Sequence, residues 1–563
     1  MRNPIFSLMR YSWKYAVNSH FKMILFIIFS VIANFFVLFE PYVFGQMLEE
    51  IQKNGDGVFR NVVIYLIILG ALPMIFWLFH GVSRVLERTV SYHILLNYQS
   101  VCLRTLFSLP MEWHKNNHSG KNIDKVNRAG MALLNFTSDI FVVVEIAVTL
   151  IGSFALLFFM KPYIGLISVI VPTVAFGVVV VFDIVLFNQY KKLNSFYNQV
   201  GSAIQDYLSN VFTVLTMRFE KSALNEYVRR FMRSFSLYRK NVIMNECKWA
   251  SVTFIITLLI IGVLAFEIVR DLRAHQVIII GTLYTLYAYM HRIGDKFYQF
   301  AWKYSDIVEQ DAAVASAENI FGDYKRLVNN ISADAPVKWK SIRVENLRFT
   351  YEDEQKIKHQ IKDVNLDIMK GEKIAFVGES GCGKSTVLGL LRGIYKARGG
   401  NVYVDSEKLK HGVAHLSDIT TLMPQEPEIF ENTIKYNVAM GFNISDAKIL
   451  KMLKWARFDS VLKKLSSGLK TNIAEKGVNL SGGEKQRLAL ARGLLAAEKS
   501  DIVLMDEPTS SVDMQNERLI FANIFQEFRH KTIIASVHRL SLLPMFDTVY
   551  YFQNGRILKV ERK

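Results

Sequence analysis

Apolar positions are spread unevenly along this chain. Over roughly the first 300 residues they gather into runs too long for a soluble core, and past position 340 they break into short pieces. Crossing a hydrocarbon layer as helix takes about 20 mostly apolar residues. Six segments qualify: 23–45, 61–82, 139–160, 163–187, 251–269 and 275–294. The last is the most polar, with Tyr284, Tyr287, Tyr289 and His291. It is kept as a span because without it the C-terminal half would lie opposite the basic loops. Residues 4–18 predict a short amphipathic helix in the membrane interface, with Ile5, Phe6, Leu8, Met9 and Trp13 toward lipid and Arg10 and Lys14 toward headgroups.

The connections 83–138 and 188–250 keep apolar residues at three and four spacing with few helix breakers, so they predict helices that continue the spans. They are also rich in Lys and Arg, as is the N-terminal segment with Arg2, Arg10, Lys14 and Lys22. The links 46–60, 161–162 and 270–274 are short and less basic. The positive-inside rule then puts the N-terminus, both long connections and everything after 295 in the cytoplasm of a multi-pass membrane protein. In a bacterium that membrane would be the inner one. The first apolar run is too long for a signal-peptide core and no small-residue cleavage site follows it, so it is expected to be retained.

Around SADAPVKWK, 332–340, the texture changes. Strand-like runs SIRVENLRFTY, GEKIAFVG, NVYVD and DIVLMDEP alternate with helical ones, the pattern of a parallel sheet flanked by helices. The expected organisation is a polytopic helical membrane domain over 1–330 followed by an α/β domain over 338–563. Within the first domain, Glu145 interrupts an apolar run and is a functional candidate. Tyr284, Tyr287 and His291 share a helical face that could line a cavity or pack between helices.

Composition agrees with the membrane reading: 51% of residues are hydrophobic and 13% aromatic. The formal charge of +17 could mean nucleic acid, but the topology accounts for the basic excess and no nucleic-acid partner is expected. Cys102, Cys247 and Cys382 form an odd, scattered set without CxxC spacing, against a disulfide framework or a zinc site.

The candidate chemistry lies in the second domain. In VGESGCGKST, 377–386, Gly378, Gly383, Lys384 and Ser385 meet the P-loop spacing between the strand KIAFV and a helix. Glycines let backbone N–H groups converge on phosphate oxygens, Lys384 neutralises the terminal phosphates, and the Ser385 hydroxyl reaches Mg2+. The whole loop, with Glu379, Ser380, Gly381, Cys382 and Thr386, is the candidate ATP-phosphate site. In IVLMDEP, 502–508, the strand end presents Asp506, suited to hold Mg2+ through water, and Glu507, suited to orient an attacking water. In LSGGEKQRLALARGLL, 480–495, Ser481, Gly482, Gly483 and Glu484 open a helix and form a second backbone anion cradle. One γ-phosphate does not need two cradles, so the second is expected to serve a nucleotide held by another copy of the domain.

These motifs resemble the ATP-binding cassette (ABC) transporters, in particular exporter half-transporters with one six-helix membrane domain and one cassette, and the resemblance covers essentially the whole chain. It implies that Tyr351 in RFTYEDE stacks on adenine, and that Gln425 in LMPQEPEIFENTI senses magnesium and contacts the membrane domain. By the same resemblance Ser511, Val512 and Asp513 form the loop after the acidic strand, and His538 in ASVHRL is the switch histidine near the γ-phosphate. AEKGVNL resembles the exporters' extra coupling loop. Motion would pass through short helices near 114–124 and 202–210.

Two departures stand out: Glu484 where Gln is commoner, and SSVD for the usual SALD. Since Glu507 and His538 are both present, a homodimer is favoured, with a heterodimer as the other arrangement. The resemblance implies ATP-driven export or flipping of a lipidic or amphipathic substrate. The alternatives are an ATP-gated channel or regulatory subunit on the same fold, and a soluble cassette ATPase acting on DNA or ribosomes, against which the spans argue.

Overall fold

The computed structural model describes residues 3–117, 119–327, 338–352, 358–426, 428–473 and 480–563. The chain forms two compact units, one of residues 1–107 and 119–323, the other of 108–118 and 324–563. The expected linker around 332–340 and the stretch AEKGVNL fall largely outside the described residues.

The first unit is helical. Its elements are α1 (Pro4–Tyr15), α2 (His20–Leu38), α3 (Glu40–Lys53), α4 (Val58–Phe107), then α6 (Ser119–Ser138), α7 (Ile140–Met160), α8 (Pro162–Ser209), α9 (Val211–Thr216), α10 (Glu220–Met232), α11 (Phe235–Arg273) and α12 (Ile280–Leu327); the short α5 (Met111–Asn116) goes with the second unit. Among the described residues five stretches, His20–Lys53, Val58–Phe107, Ser119–Met160, Pro162–Ser209 and Glu220–Arg273, are long and apolar enough to cross a membrane. At 1.5 Å per residue, α4 with its 50 residues is about 75 Å long, far more than a bilayer core needs. The spans thus continue as helix into the long connections, α4 to Phe107 and α8 to Ser209, and further separate helices make up the rest of each connection.

The sixth expected span falls differently. It begins at Ile280 rather than 275, and α12 does not reach the apolarity of the other five because Arg292, Asp295 and Lys296 follow closely on its tyrosines. The two basic ones are paired across helices, Arg292 with Glu40 at 2.6 Å and Lys296 with Glu145, and Asp295 lies 3.0 Å from the His291 ring one turn before it. Glu145, the carboxylate in the apolar run of α7, is therefore neutralised across helices, as burial of charge requires. Tyr284 packs on the Phe44 ring, whereas Tyr287 and His291 are exposed in the single chain.

The first expected span, 23–45, is broken at Phe39 between α2 and α3. Pro41 brings no N–H to the Val37 carbonyl. Two α12 side chains meet this break: Arg292 Nη1 donates to Val37 O and the Tyr289 hydroxyl to Leu38 O, both at 2.9 Å. Past the break in sequence α3 and α12 touch backbone to backbone, since a Cβ on Gly281 would lie 2.0 Å from Gly45 O.

The amphipathic helix α1 also needs a correction. Asn3 caps it, accepting from the N–H of Ile5 and Phe6, but its face with Ser7, Leu8, Ser12 and Tyr15 is buried in the unit. Leu8 has no exposed surface, so it does not face lipid; Phe6 and Trp13 stay exposed. The second short helix after the long α8 is α9, at 211–216 rather than at 202–210, where α8 is still running.

The second unit is α/β. Its strands are β1 (Ser341–Glu352), β2 (Lys358–Met369), β3 (Lys373–Val377), β4 (Gly399–Val404), β5 (Glu407–Lys408), β6 (Thr420–Met423), β7 (Ile502–Asp506), β8 (Thr532–Ser536), β9 (Thr548–Gln553) and β10 (Arg556–Arg562). An antiparallel sheet has the order β2-β1-β4-β5, and a six-stranded sheet has the order β10-β9-β3-β8-β7-β6. The latter is parallel from β9 to β6, with β10 turned back along its edge. The helices α13 (Lys384–Leu391), α14 (Ile434–Ala439), α15 (Asp446–Trp455), α16 (Asp459–Leu462), α17 (Gly482–Ala497) and α18 (Met514–Glu527) accompany it.

The strands β3, β7 and β8 are continuous apolar runs because both faces are covered. Ile374, Phe376, Leu504 and Ile534 point into one core with Val387 and Leu391 of α13. Ala375, Met505 and Ala535 point into the other with Leu488 and Ile520 of α17 and α18. The short α5 packs within this unit, with Lys115 Nζ donating to the Tyr395 hydroxyl at 3.1 Å and lying over its ring.

The α3–α12 contact yields a prediction. Gly281→Val should lower the thermal unfolding midpoint of the detergent-solubilised protein, by an overpacking cost of about 1–3 kcal/mol. Gly177→Val, at a position with open space around it, should leave the midpoint unchanged.

Candidate nucleotide site

The strand order decides which residues meet. Moving across the parallel sheet, neighbours β3, β8, β7 and β6 deliver at their carboxyl ends the P-loop, His538, Asp506 with Glu507, and Gln425. Carboxyl ends of parallel strands are where open α/β sheets bind ligands. A cavity of about 480 Å3 opens there, with Ser380–Thr386, Gln425 and Glu507 in its wall.

The P-loop turns from β3 into α13. At its first glycine, Gly378, φ is +153°, and a Cβ would lie 2.4 Å from Phe552 O. The Lys384 side chain is buried and folds back over the loop, Nζ donating to Gly378 O at 2.7 Å and Glu379 O at 3.0 Å. Cys382 lies under the loop, buried, with its carbonyl accepting from Gly555 N at 3.0 Å.

At the end of β7 one buried hydroxyl organises both acids. Ser536 Oγ donates to Asp506 Oδ1 at 2.7 Å and accepts from the Glu507 N–H at 2.9 Å. Glu507 has φ +45°, a left-handed backbone unusual for a side chain of its size. Its carboxylate is held on both oxygens: Gln425 Nε2 donates to Oε2 at 2.7 Å, and the His538 ring N–H donates from Nε2 to Oε1 at 2.5 Å.

Ser385 and Gln425 share the cavity wall, and Asp506 directly precedes Glu507. A hydroxyl, an amide and a carboxylate are hard oxygen donors of the kind Mg2+ takes. Among the described residues no three His, Cys, Asp or Glu side chains cluster as a self-sufficient metal cage. That suits an ion that draws most of its ligands from phosphate and water.

Ser481, Gly482, Gly483 and Glu484 are not in this cavity wall. They form the first turn of α17 as a capping box, with Ser481 N and Oγ both donating to Glu484 Oε2 at 2.8 Å. The Ser481 backbone N–H, with its hydroxyl, holds the Glu484 carboxyl below its ordinary range. The Tyr351 backbone pairs with His359 of β2; its side chain lies outside the described residues.

Sequence reasoning missed several residues of the site. Gln360 and Lys362 of β2, with Asn554 and Gly555, also line the cavity. The last two were legible in principle: Asn-Gly between two strand-like runs signals a two-residue hairpin turn. Ser536 was legible only as one polar residue ending an otherwise apolar strand.

The site thus has the makings of a nucleotide-binding cassette: a P-loop, an acidic strand end and a histidine on neighbouring parallel strands, in a chain whose earlier residues form a long-helix membrane domain. Comparison with known proteins identifies the family. Residues 23–291 match the ABC transporter transmembrane region and residues 361–510 the ABC transporter cassette. Similar proteins include the ABC multidrug transporter mdr1 of Aspergillus fumigatus, 34% identical over 44% of this chain and 19% of its own length. Another is the putative ABC transporter ATP-binding protein exp8 of Streptococcus pneumoniae, 30% identical over 50% of this chain and 48% of its own. The chain therefore spans about half or less of the length of these curated relatives. The structure of a bacterial Atm1-family ABC exporter with ATP bound superimposes with a TM-score of 0.80 over 96% of this chain and 95% of that one, at 20% identity, a likeness of fold. The chain belongs to the ABC transporters, as an integral membrane protein with the half-transporter order of membrane region then cassette.

Gly555 generates a test. Its φ is +77°, and a Cβ would lie 1.9 Å from Gln360 O, so Gly555→Ala must move β2 or the turn that supports Cys382. ATP affinity measured by calorimetry should fall at least about tenfold, ~1.4 kcal/mol, while Gly399→Ala, at a position without left-handed backbone where a Cβ would meet nothing closer than 3.8 Å, should bind as the parent does.

Proposed function

We propose that two copies of this chain form an exporter or flippase that moves a lipidic or amphipathic substrate across the membrane at the expense of ATP. The N-terminus and cassettes face the cytoplasm, in bacteria from the inner membrane. The observation that carries the reading is Glu507, fixed between Gln425 and His538 in the wall of the P-loop cavity while the signature turn 481–484 stands apart from that wall. A cassette so built has one complete phosphate cradle and one cradle for a neighbour's nucleotide.

In this mechanism the P-loop N–H groups and Lys384 hold the β- and γ-phosphates. Glu507 accepts a hydrogen bond from the attacking water and aligns it, and His538 keeps the Glu507 carboxylate oriented. Ser385, Gln425 and Asp506 would hold Mg2+, which spreads the charge of the phosphate oxygens when bound. A second chain's Ser481–Glu484 turn closes the site. ATP then favours the closed pair because it contacts both cassettes only there. The amphipathic substrate class is supported by a cavity of about 470 Å3 in the membrane domain, lined by the apolar Phe176, Val179 and Ile184 together with the polar Asp183, Asn188 and Tyr304. Asp183 is paired there with Lys248 at 2.9 Å.

Glu507→Gln should lower ATPase turnover by a hundredfold or more, within the ~10²–10⁴ range for removing a positioned base, and ATP-bound dimers should accumulate on size exclusion. Unchanged turnover would refute the assigned chemistry. In reconstituted vesicles the parent should build an uphill gradient or asymmetry of amphiphile on ATP addition; dissipation alone would mark a channel instead.

A further inference from the structure

We propose that Gln486 is a positioning residue that splices the signature turn to the hydrolytic pair Glu507 and His538 of the same cassette, so that occupancy of one composite site sets the geometry of the other. The inference rests on the two-cassette reading above.

Two residues beyond the signature turn, the Gln486 side chain leaves α17 and is buried, 5% exposed. Its amide uses both ends on one loop: Nε2 donates to Ser510 Oγ and Oε1 accepts from Ser511 N, each at 2.7 Å. The loop lies directly on the first turn of α17, because a Cβ on Gly483 would sit 2.7 Å from Ser511 O. The same loop grows out of the catalytic strand end, Ser510 N donating to Glu507 O at 3.2 Å.

A second clamp holds it from the other side. Arg539, next to His538, donates from Nη2 to Val512 O at 3.0 Å and from Nη1 to Glu517 Oε2 at 2.8 Å. The buried Glu517 in turn accepts from Thr509 Oγ1 at 2.7 Å. Residues 509–512 are thus pinned between the signature helix and the residue after the switch histidine. A shift of the signature turn as it meets a neighbour's phosphate cannot leave this loop behind without stranding buried polar groups, the costly way to lose a hydrogen bond. The displacement is therefore passed to Glu507 and, through Arg539, to His538. The planar amide suits this role because its donor and acceptor are fixed relative to each other, as a single hydroxyl's are not.

The test uses full-length protein in nanodiscs. Gln486→Leu removes both bonds at similar volume. Gln486→Glu keeps both, since the Ser510 hydroxyl can turn to donate to the carboxylate. The relay predicts that Gln486→Leu leaves ATP affinity, measured in the Glu507→Gln background, within about twofold. It should lower kcat roughly tenfold and bring the Hill coefficient for ATP down to one, while Gln486→Glu keeps parental kcat and cooperativity. Should Gln486→Leu fail to fold, Arg539→Met cuts the other clamp and is read in the same assay with the same expectation. Parental kcat and Hill coefficient in whichever of these variants folds overturns the relay, as does a loss in Gln486→Glu equal to that in Gln486→Leu. A Glu507→Gln protein that forms no ATP-dependent dimer would instead overturn the two-cassette reading.

Discussion

One buried hydroxyl ties the catalytic end of the cassette together. Ser536 ends β8, between β3 and β7, with its backbone in register with Phe376 on one side and Asp506 on the other. Its Oγ donates to the Asp506 carboxylate and accepts from the Glu507 N–H. A hydroxyl can do both at once, and here it must, because Ser536 is fully buried and has no water to turn to. The left-handed backbone of Glu507 is held at the point where the strand ends, and the side chain is sent toward Gln425 and His538. The positions of all the other site groups follow from the order of strands on either side of β8.

A comparable constraint governs the membrane domain, where backbone groups must be satisfied without water. The break at Phe39 would expose carbonyls in an apolar layer, and α12 supplies Tyr289 and Arg292 to meet them. That explains why the most polar of the expected spans is polar: its tyrosine and arginine are partners for a neighbour's interrupted helix, and its lysine is the counter-ion of Glu145. The glycine pair Gly45 and Gly281 lets α3 and α12 come close enough for Thr285 Oγ1 to lie 3.4 Å from Pro41 O.

What was legible in the sequence, and what was not, divides along physical lines. Long apolar runs and local motifs are properties of contiguous residues. The helices over 140–160 and 162–209 and the strand–loop–helix around Lys384 could therefore be read directly. The break inside 23–45 could have been suspected from Pro41, but what stabilises it comes from residues 251 and 255 positions away. Leu8 illustrates the limit of a moment argument: an amphipathic helix declares an apolar face without saying whether lipid or protein covers it, and here protein covers Leu8. Ser536 and Arg539 flank His538, and Gln486 follows the signature turn, without being the residues those stretches are read for, and Glu517 lies in none of them. Their importance arises from strand order and from which loop folds back on α17, which no local pattern encodes.

Several groups assigned to nucleotide are already engaged within the cassette. Lys384 gives its ammonium to two loop carbonyls, Ser481 its hydroxyl to Glu484, and Glu507 both oxygens to Gln425 and His538. Contact with a triphosphate is then an exchange of partners, and the net gain from any one exchange is small compared with the gross strength of a hydrogen bond. A site built this way binds well only when many exchanges happen together. For the P-loop that set lies within one chain, but for Ser481 the incoming phosphate, on the proposed reading, is held by another. Releasing Ser481 from Glu484 is worthwhile only when that second chain presents its nucleotide, so the capping box resists closure until both partners are in place. The departure from Gln to Glu at 484 strengthens this, because a carboxylate accepts from both the backbone N–H and the hydroxyl of Ser481 and does so with a full charge.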